Sequence, residues 1–185
     1  MKFIKTKIPE VVILEPVIFQ DDRGYFFESY NKEQFCHHVG DVDFIQDNQS
    51  KSVKGVLRGL HFQRPPFTQA KLIRCVEGTI LDIVVDIRKG SPNYGQHVSV
   101  ELSAENKKQL FAPRGFAHGF SVISETVTVI YKVDNKFSPK YDQGILYNDE
   151  DLAIDWGLNP EDVILSEKDK TLNTFKESNI PFLYE

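Results

Sequence analysis

Three side chains with cationic or titratable groups stand close together in a stretch whose composition is otherwise that of buried β-structure. Arg58 and His61 belong to GVLRGLHFQ (55–63), and Lys71 begins the mostly apolar run KLIRCVEG (71–78). An imidazole titrates near neutral pH and can act as a general base. A fixed positive charge can bind an anion or stabilise negative charge that develops in a reaction. The pattern therefore indicates an anion site or a site of proton transfer.

The alternation of side chains along a strand indicates which of these groups point inwards. Residues i and i+2 of a strand share a face, so Lys71 lies on one face with Ile73 and Cys75. An ammonium group beside apolar neighbours suits a pocket, and a solvated position is the alternative. Arg74 has the opposite parity, and exposure to solvent is its simpler interpretation.

Arg58 and His61 have opposite parity along the same predicted strand. They can line one cavity only if a β-bulge lies between them; otherwise one of the two side chains faces away. Gly59 is the position at which a bulge would cost least. A lone histidine in a β-rich domain is more often structural than catalytic, and the same alternative holds for His118 in PRGFAHGF (113–120).

The rest of the sequence predicts the scaffold that would position these groups. Short β-type runs separated by turn residues are typical of a sandwich, jelly roll or barrel. A helix is predicted over 31–39, with Asn31 as its N-cap, and shorter helices near 149–152 and 166–170. The predicted strands cover 11–19, 25–30, 44–53, 56–62, 70–77, 79–87, 97–102, 109–112, 118–123, 126–133 and 144–147.

Length and composition restrict the class of protein. The chain of 185 residues suits a single domain over 1–185, and its net charge of −5 disfavours nucleic acid as a partner. No apolar run approaches the length of about eighteen residues that spans a membrane, and no signal-peptide cleavage site is evident, so we expect no membrane association and a cytoplasmic location. Cys36 and Cys75 match no disulfide or metal pattern, and buried free thiols are expected.

The spacing of two histidine motifs resembles the cupin superfamily. Gly55 and His61, with five residues between them, match the start of the first cupin motif, and PRGFAH (113–118) matches the second. The resemblance implies an all-β jelly roll of the double-stranded β-helix type with a few short helices. Gln63 occupies the position of the second histidine, so the usual set of about three imidazoles and a carboxylate is incomplete. We therefore expect no metal, which disfavours a metal-dependent isomerase or dioxygenase.

Several separated motifs, in one order, give a narrower resemblance. They are DDRGYFFES (21–29), QDNQS (46–50), GVLRGLHFQ, QAKLIRCVEGTILDIVVDIRKGSP (69–92), PRGFAHGF, YK (131–132) and LSEKD (165–169). Together they resemble the family of deoxythymidine-diphosphate (dTDP) 4-keto-6-deoxysugar 3,5-epimerases. The resemblance implies a metal-independent isomerase, without cofactor, of dTDP-L-rhamnose biosynthesis. Such an enzyme inverts C3 and C5 of dTDP-4-dehydro-6-deoxy-D-glucose and gives dTDP-4-dehydro-L-rhamnose.

The same resemblance implies roles for four residues that carry the chemistry. His61 would be the general base, and Asp169 would fold back to hydrogen-bond and orient its imidazole. Lys71 would stabilise the enolate oxygen, and Tyr131 would return a proton from the other side. Without the resemblance, packing in a β-core would be the simpler interpretation of Tyr131, which alternates with Val129.

Residues that hold the nucleotide are implied in the same way. Arg23 and Arg58 would bind the pyrophosphate, because guanidinium groups bind phosphate in a bidentate manner. The N-terminal strand would be exchanged across a homodimer, so that part of each site comes from the neighbouring subunit. His118 would be a supporting pocket residue. The further positions that would contact the nucleotide are Phe26, Glu28, Gln46 and Asn48.

One position departs from the family pattern and leaves alternatives open. Phe137, in NKFSP, stands where family members often have tyrosine. The missing hydroxyl is compatible with a 3-epimerase, or with a 3,5-epimerase of another 4-keto nucleotide sugar such as a GDP-heptose. A ketoisomerase of similar fold is disfavoured by the intact YK and KD pairs. A cupin that binds a sugar nucleotide without chemistry is the last alternative, and it predicts that His61, Tyr131 and Asp169 are dispensable.

Overall fold

Thirteen strands, numbered in chain order, are present in the computed structural model, which describes residues 1–184. One sheet contains β1 (Lys2–Lys5), β2 (Val12–Glu15), β5 (Gln46–Val53), β7 (Lys71–Glu77), β10 (Gln109–Ala112) and β12 (Thr126–Val133). The other contains β6 (Leu57–Gln63), β8 (Thr79–Asp86), β9 (His97–Ser103), β11 (Phe116–Val122) and β13 (Asp142–Gly144). A separate hairpin consists of β3 (Phe19–Asp21) and β4 (Gly24–Phe26).

The strand order within the sheets is that of a jelly roll. The first sheet has the order β1-β2-β10-β7-β12-β5 and the second the order β13-β6-β11-β8-β9, with antiparallel pairing throughout. Most neighbours in space are therefore distant in sequence, which is typical of this all-β architecture. The predicted fold class is confirmed.

The main hydrophobic core lies between the two sheets. Ile73 of β7 and Val129 of β12 contribute to it from the first sheet, and Val84 of β8 and Phe120 of β11 from the second. All four side chains are buried, as expected for the inward faces of alternating strands. Phe120 and Val129 also line a cavity at the edge of this core, so the packed interior forms one wall of the site described below.

A single α-helix, Lys32–His38, covers the outer face of the first sheet. The side chain of Asn31 accepts a hydrogen bond from the Gln34 backbone N–H (3.1 Å), which caps the helix as predicted. Phe35 is buried and contacts Phe111 of β10 edge-on, with 5.2 Å between ring centroids. Cys36 is half-buried on this helix, so the expectation of two buried thiols is wrong for Cys36, whereas Cys75 is buried. The exposed faces of a short surface helix explain the difference.

The C-terminal segment packs on the second sheet and returns to the start of β6. Trp156 and Phe175 belong to a second cluster of buried apolar side chains that includes residues of β6 and β8. The backbone N–H of Ile164 donates to the Gly55 carbonyl (2.8 Å), and Leu57 N–H donates to the Ile164 carbonyl (3.0 Å). These bonds fix the chain just before the 3₁₀ turn Asp169–Thr171. A second 3₁₀ turn spans Pro160–Asp162.

Central elements agree with the sequence predictions, and elements near loops do not. The strands over 109–112 and 126–133 are confirmed to the residue. The strand predicted over 25–30 is wrong, because only residues up to Phe26 are extended and they belong to the hairpin. The strand predicted over 144–147 lies earlier, at Asp142–Gly144, and β1 was not predicted.

The helix predicted near 149–152 is also wrong. The Asp149 carboxylate accepts hydrogen bonds from the backbone N–H groups of Asp151 and Leu152, each at 3.0 Å. The chain leaves the helical conformation after this one turn, because Ala153 has a φ of +44°, which a right-handed helix does not allow. Within residues 1–184, no helix has the length and apolar character needed to cross a membrane.

Candidate active site

A β-bulge at Gly59 brings Arg58 and His61 to the same cavity. His118 of β11 pairs with His61, and Phe120 pairs with Arg58, so β6 uses one residue more than β11 over this interval. Gly59 has a φ of +125°, and a Cβ there would lie 2.6 Å from the backbone of β11. Both the backbone angle and the close approach require glycine. The predicted bulge is confirmed, and both side chains line a space of about 370 Å³, here called the His61 cavity.

The imidazole of His61 contacts a buried carboxylate. Its Nε2 lies 2.6 Å from Oδ1 of Asp169, which is 3% exposed. Burial raises the pKa of Asp169, but the hydrogen bond and charge of His61, together with the Ser166 hydroxyl and Lys168, outweigh it and lower the pKa below its ordinary value. The carboxylate is therefore ionised at neutral pH and accepts the Nε2 proton, which leaves Nδ1 as the basic nitrogen.

Lys71 brings its amino group to the same cavity. Its side chain lies among Ile73 and Cys75 on the inner face of β7, as alternation predicted. Burial lowers the pKa of Lys71, and the negative charges of Asp142 and Asp82 offset part of that shift. Among the described residues none forms a hydrogen bond or ion pair with Nζ, so the ammonium group is available to a ligand.

Tyr131 faces His61 from the opposite sheet. It belongs to β12 of the first sheet, whereas His61 belongs to β6 of the second, and both side chains line the His61 cavity. Burial raises the pKa of the Tyr131 phenol; the nearby charge of Arg58 opposes this shift. The phenol thus keeps its proton at neutral pH and can act as an acid on the side remote from His61.

A second histidine–carboxylate pair lies beside the first. Nε2 of His118 is 2.7 Å from Oδ1 of Asp82, which is fully buried. Burial raises the pKa of Asp82, while the charges of His118 and Lys71 act in the opposite direction. Asp82 was not predicted as a site residue. The available signal was its parity, because an aspartate alternates with Ile80 and Val84 on a face that is otherwise apolar.

A neighbouring space of about 410 Å³, here called the Phe137 cavity, extends the site. It shares His61, Lys71, Tyr131 and Lys168 with the His61 cavity. Lys168 forms an ion pair with Asp142, and neither residue was singled out from the sequence, although Lys168 belongs to the LSEKD motif. Other residues line the Phe137 cavity but not the His61 cavity, among them Gln46, Asn48, Gln63, Phe137 and Asp142.

Known proteins resemble this chain in sequence. The family model described as dTDP-4-dehydrorhamnose 3,5-epimerase matches residues 5–177. The chain belongs to the dTDP-4-dehydrorhamnose 3,5-epimerase family. A relative of that name from Salmonella typhimurium strain LT2 is 55% identical over 172 residues, which cover 91% of this chain and 92% of the relative. The family resemblance drawn from the motifs is confirmed, and the chain is a member of an isomerase family.

Solved structures of dTDP-4-dehydrorhamnose 3,5-epimerases and related enzymes have the same fold. The dTDP-6-deoxy-D-glucose-3,5-epimerase of Legionella pneumophila Philadelphia 1, in complex with dTDP-4-keto-L-rhamnose, matches with a TM-score of 0.96 and 43% identity, over 100% of this chain and 98% of that one. A 3′-monoepimerase from Streptomyces bikiniensis, in complex with dTDP-quinovose, matches with a TM-score of 0.86 and 32% identity, over 93% of this chain and 87% of that one.

In this member of the epimerase family, three predicted nucleotide contacts lie outside both cavities. Arg23 and Phe26 belong to the β3–β4 hairpin, where the Arg23 side chain is 90% exposed and Phe26 is 68% exposed. Within residues 1–184 the Arg23 guanidinium is paired with its neighbour Asp21, with Nη2 2.6 Å from Oδ2. Glu28 accepts a hydrogen bond from Asn31 at 3.2 Å. Within one chain, therefore, these residues are not brought to His61.

The hairpin presents two chemically different faces. Tyr25 lies under the Lys107 ammonium (4.4 Å from Nζ to the ring centroid), and Phe27 lies under the Arg74 guanidinium (4.7 Å). Tyr25 and Phe27 thus hold the hairpin to its own chain, while Phe26 points away. Arg74 is half-buried against the Phe27 ring, so the expectation that it is solvated is wrong.

Metal binding by this epimerase-family chain would require a cluster of histidine, cysteine or carboxylate side chains. Across the part of the chain that the structure describes, no group of three or more histidine, cysteine, aspartate or glutamate side chains is arranged to hold a metal ion. Gln63, at the motif position of a second histidine, is buried and hydrogen-bonded to three backbone groups. The absence of a metal stays a prediction.

Proposed function

We propose that the protein inverts C3 and C5 of dTDP-4-dehydro-6-deoxy-D-glucose and releases dTDP-4-dehydro-L-rhamnose. The observation that carries this proposal is the placement of His61 and Tyr131 on opposite sheets around one cavity, with Lys71 beside them. Inversion of a carbon needs removal of a proton on one face and its return on the other. A base and an acid on facing walls satisfy that requirement.

The chemistry of the substrate explains why no redox change is required. The hydrogens on C3 and C5 are both α to the C4 ketone, so the carbanion formed by their loss is delocalised as an enolate. In each step a C–H bond breaks, its electron pair moves into the enolate, and a new C–H bond forms on the opposite face. Substrate and product have the same oxidation level, and we propose that neither a redox cofactor nor a metal takes part.

His61 is assigned as the base through Nδ1. Its Nε2 proton is held by Asp169 at 2.6 Å, which fixes the ring orientation and the tautomer. When Nδ1 takes a proton from carbon, the imidazolium that forms is stabilised by the ionised carboxylate. Asp169 thus acts through His61 and is a positioning residue.

Lys71 and Tyr131 complete the reaction. The Lys71 ammonium stabilises negative charge on the C4 oxygen, where a buried fixed charge is worth more than in water. Tyr131 delivers its phenolic proton to carbon and is reprotonated from solvent, while His61 loses its proton to solvent. Atoms and charges therefore balance over one inversion, and a second round at the other carbon completes the product.

The nucleotide diphosphate is assigned to the cationic groups around the cavities. Arg58, whose Nε donates to the Ser52 hydroxyl at 3.1 Å, and Lys168 border the His61 cavity. Gln46 and Asn48 border the Phe137 cavity, and Gln46 donates to Asn48 at 2.7 Å. His118 is assigned a supporting role beside the sugar.

We propose a homodimer in which the exposed face of the β3–β4 hairpin enters the site of the neighbouring subunit. Arg23 and Phe26 would then contact the nucleotide there, and Glu28 would accompany them. Support comes from the hairpin, because its arginine and phenylalanine are exposed and line neither the His61 cavity nor the Phe137 cavity of their own chain. The doubly charged substrate does not cross a bilayer unaided, and we place the reaction in the cytoplasm.

The deciding experiment is isotope exchange in D₂O. Chelator-treated protein is incubated with dTDP-4-dehydro-6-deoxy-D-glucose, and proton NMR follows the signals of C3 and C5. Deuterium at both carbons is the expected result. Deuterium at C3 alone would replace the proposal with a 3-epimerase, the alternative with which Phe137 and the likeness to the Streptomyces bikiniensis 3′-monoepimerase are compatible. If the protein binds dTDP but no deuterium enters the sugar, both the 3,5-epimerase and the 3-epimerase are refuted for this substrate.

A further inference from the structure

The carboxamide of Gln63 is bonded to backbone groups from two separate loops. Its Nε2 donates to the carbonyls of Phe67 (2.7 Å) and Lys136 (3.1 Å), and its Oε1 accepts from the N–H of Ser138 (2.6 Å). Gln63 is only 4% exposed, at the end of β6. Both amide hydrogens and the carbonyl are thus satisfied in a site from which water is largely excluded.

Two of the three bonds flank a single exposed aromatic residue. Lys136 and Ser138 are the chain neighbours of Phe137, which is 56% exposed and lines the Phe137 cavity. A large apolar side chain at this exposure gains little from packing, so its position depends on how the backbone on either side is held.

Other bonds tie the same segment to the loop that follows β6. Gln69 Nε2 donates to the Asn135 carbonyl (2.7 Å), and Asn135 Nδ2 donates to the Pro66 carbonyl (3.0 Å). These bonds end at residue 135. Among the described side chains, only that of Gln63 forms hydrogen bonds with the residues on both sides of Phe137. Gln63 also lies two residues after His61, and both line the Phe137 cavity.

We propose that Gln63 is a positioning residue that fixes Phe137 as a wall of the ligand site, at a set distance from His61. The inference rests on the proposed function only in that the ligand is a nucleotide sugar. Phe137 offers that ligand a flat apolar face, and Gln63 keeps the face in place. Glutamine suits this task because two donors and one acceptor must be supplied from one planar group; glutamate supplies no donor, and methionine supplies neither.

The test uses Gln63→Glu, which conserves shape and turns an oxygen towards two carbonyls. The readouts are kcat and KM with dTDP-4-dehydro-6-deoxy-D-glucose, and the Kd of dTDP by titration calorimetry. We expect KM and the dTDP Kd to rise about ten-fold, with kcat within about three-fold of the parent, since a buried amide partner is lost while the reacting groups are untouched. Gln63→Met is the second variant if Gln63→Glu does not fold.

A double-variant comparison and a pH series separate positioning from loss of stability. If Gln63 acts through Phe137, then Gln63→Glu combined with Phe137→Ala binds dTDP no more weakly than Phe137→Ala alone. The Kd of Gln63→Glu, relative to the parent at each pH, should improve as the pH falls, because a protonated glutamate regains one donor. The proposal would be overturned if the two changes weakened dTDP binding by factors that multiply in the double variant. It would also be overturned if the ratio of the Gln63→Glu Kd to the parent Kd did not change with pH.

The matched control is Asn106→Asp, which removes an amide donor from a half-buried turn remote from both cavities, where Asn106 Nδ2 donates to the Glu101 carbonyl (3.0 Å). It should lower the melting temperature without changing the dTDP Kd. A Gln63→Glu variant that behaves in the same way would reduce Gln63 to a structural residue and overturn the proposal. The dTDP titration needs no turnover, so a parent protein that binds dTDP but leaves the substrate unchanged refutes the proposed reaction and not the inference on Gln63.

Discussion

Nε2 of His61 and Oδ1 of Asp169 lie 2.6 Å apart, although 108 residues separate them along the chain. The contact exists because the C-terminal segment returns to β6 through the bonds between Ile164 and residues 55 and 57. The orientation of the His61 imidazole is therefore coupled to the folding of a mostly irregular tail. Changes that loosen the tail are expected to reduce proton abstraction before they reduce binding.

Replacement of Asp169 by asparagine should reduce kcat about 10²-fold or more, because the imidazolium loses its counter-charge and the tautomer is no longer fixed. KM should change much less, since the buried Asp169 acts through its bond to His61. Steady-state kinetics measure kcat and KM separately, with Asp43→Asn as the control, because Asp43 is an exposed carboxylate paired with Lys32 at 2.7 Å. A normal kcat in Asp169→Asn would contradict the positioning role.

The same carboxylate makes stability depend on acid pH. The pKa of Asp169 is lowered on folding. The ionised carboxylate therefore contributes to the free energy of unfolding above the ordinary pKa of 3.8, and this contribution is lost as the pH falls through the lower pKa of the folded state. The difference in urea midpoint between the parent and Asp169→Asn should therefore narrow as the pH is lowered from 6 towards 3. A difference that stays constant over this range would show that the pair is not ionic.

The alkaline limb of the pH–kcat/KM profile should belong to Lys71. The pKa of Lys71 is lowered, mainly by burial, whereas burial raises that of Tyr131, so we assign the limb to Lys71 and not to Tyr131. The pKa that this limb reports should lie below the ordinary pKa range of lysine, and the limb should persist in Tyr131→Phe. Lys71→Met should lower kcat about 10²-fold or more while dTDP binding remains. A loss confined to binding would assign Lys71 to the phosphates.

Tyr131→Phe should separate exchange from inversion. His61 can still remove and return a proton on its own face, so solvent deuterium should enter the sugar while the configuration is retained. Proton NMR in D₂O distinguishes the two outcomes directly. Inversion at the parent rate would show that another group, or water, is the acid.

Gly59→Ala should disrupt both the fold and the site. A Cβ at Gly59 would lie 2.6 Å from the Gly119 Cα, against backbone that cannot move aside, and we expect a loss of about 3 kcal/mol. Gly40→Ala is the matched control, because Gly40 also has a positive φ (+142°), but a Cβ there would have no other atom within 4 Å. It should lose about 1 kcal/mol, the cost of backbone strain alone. Equal losses in urea titrations would show that the bulge tolerates a side chain.

Mixing two defective variants should restore activity if the hairpin is exchanged. His61→Ala and Arg23→Ala homodimers each lack one part of every site. In a mixed dimer one site has both defects and the other has none, so random exchange should recover about a quarter of the parent rate. Recovery is measured after joint refolding. Absence of recovery, or a strictly monomeric active protein in light scattering, would contradict the exchanged hairpin.

Local patterns along the chain predict the layered β-fold and most of the inward-facing residues. Alternation along KLIRCVEG placed Lys71 inside with Ile73 and Cys75, and the parity conflict between Arg58 and His61 located the bulge at Gly59. These features are local, because they depend on side-chain period and on glycine geometry, which neighbouring residues determine.

Contacts between groups that are distant along the chain depend on the folded structure. Local patterns do not bring Asp169 to His61, a contact that only the family resemblance implied. They also do not pair Asp82 with His118, or bond the Gln63 carboxamide on both sides of Phe137. Nor do they show that residues 19–26 form a projecting hairpin in place of two longer strands. Such contacts depend on the path of irregular segments between sheets, where no periodic pattern exists and long-range packing and hydrogen bonds determine the conformation.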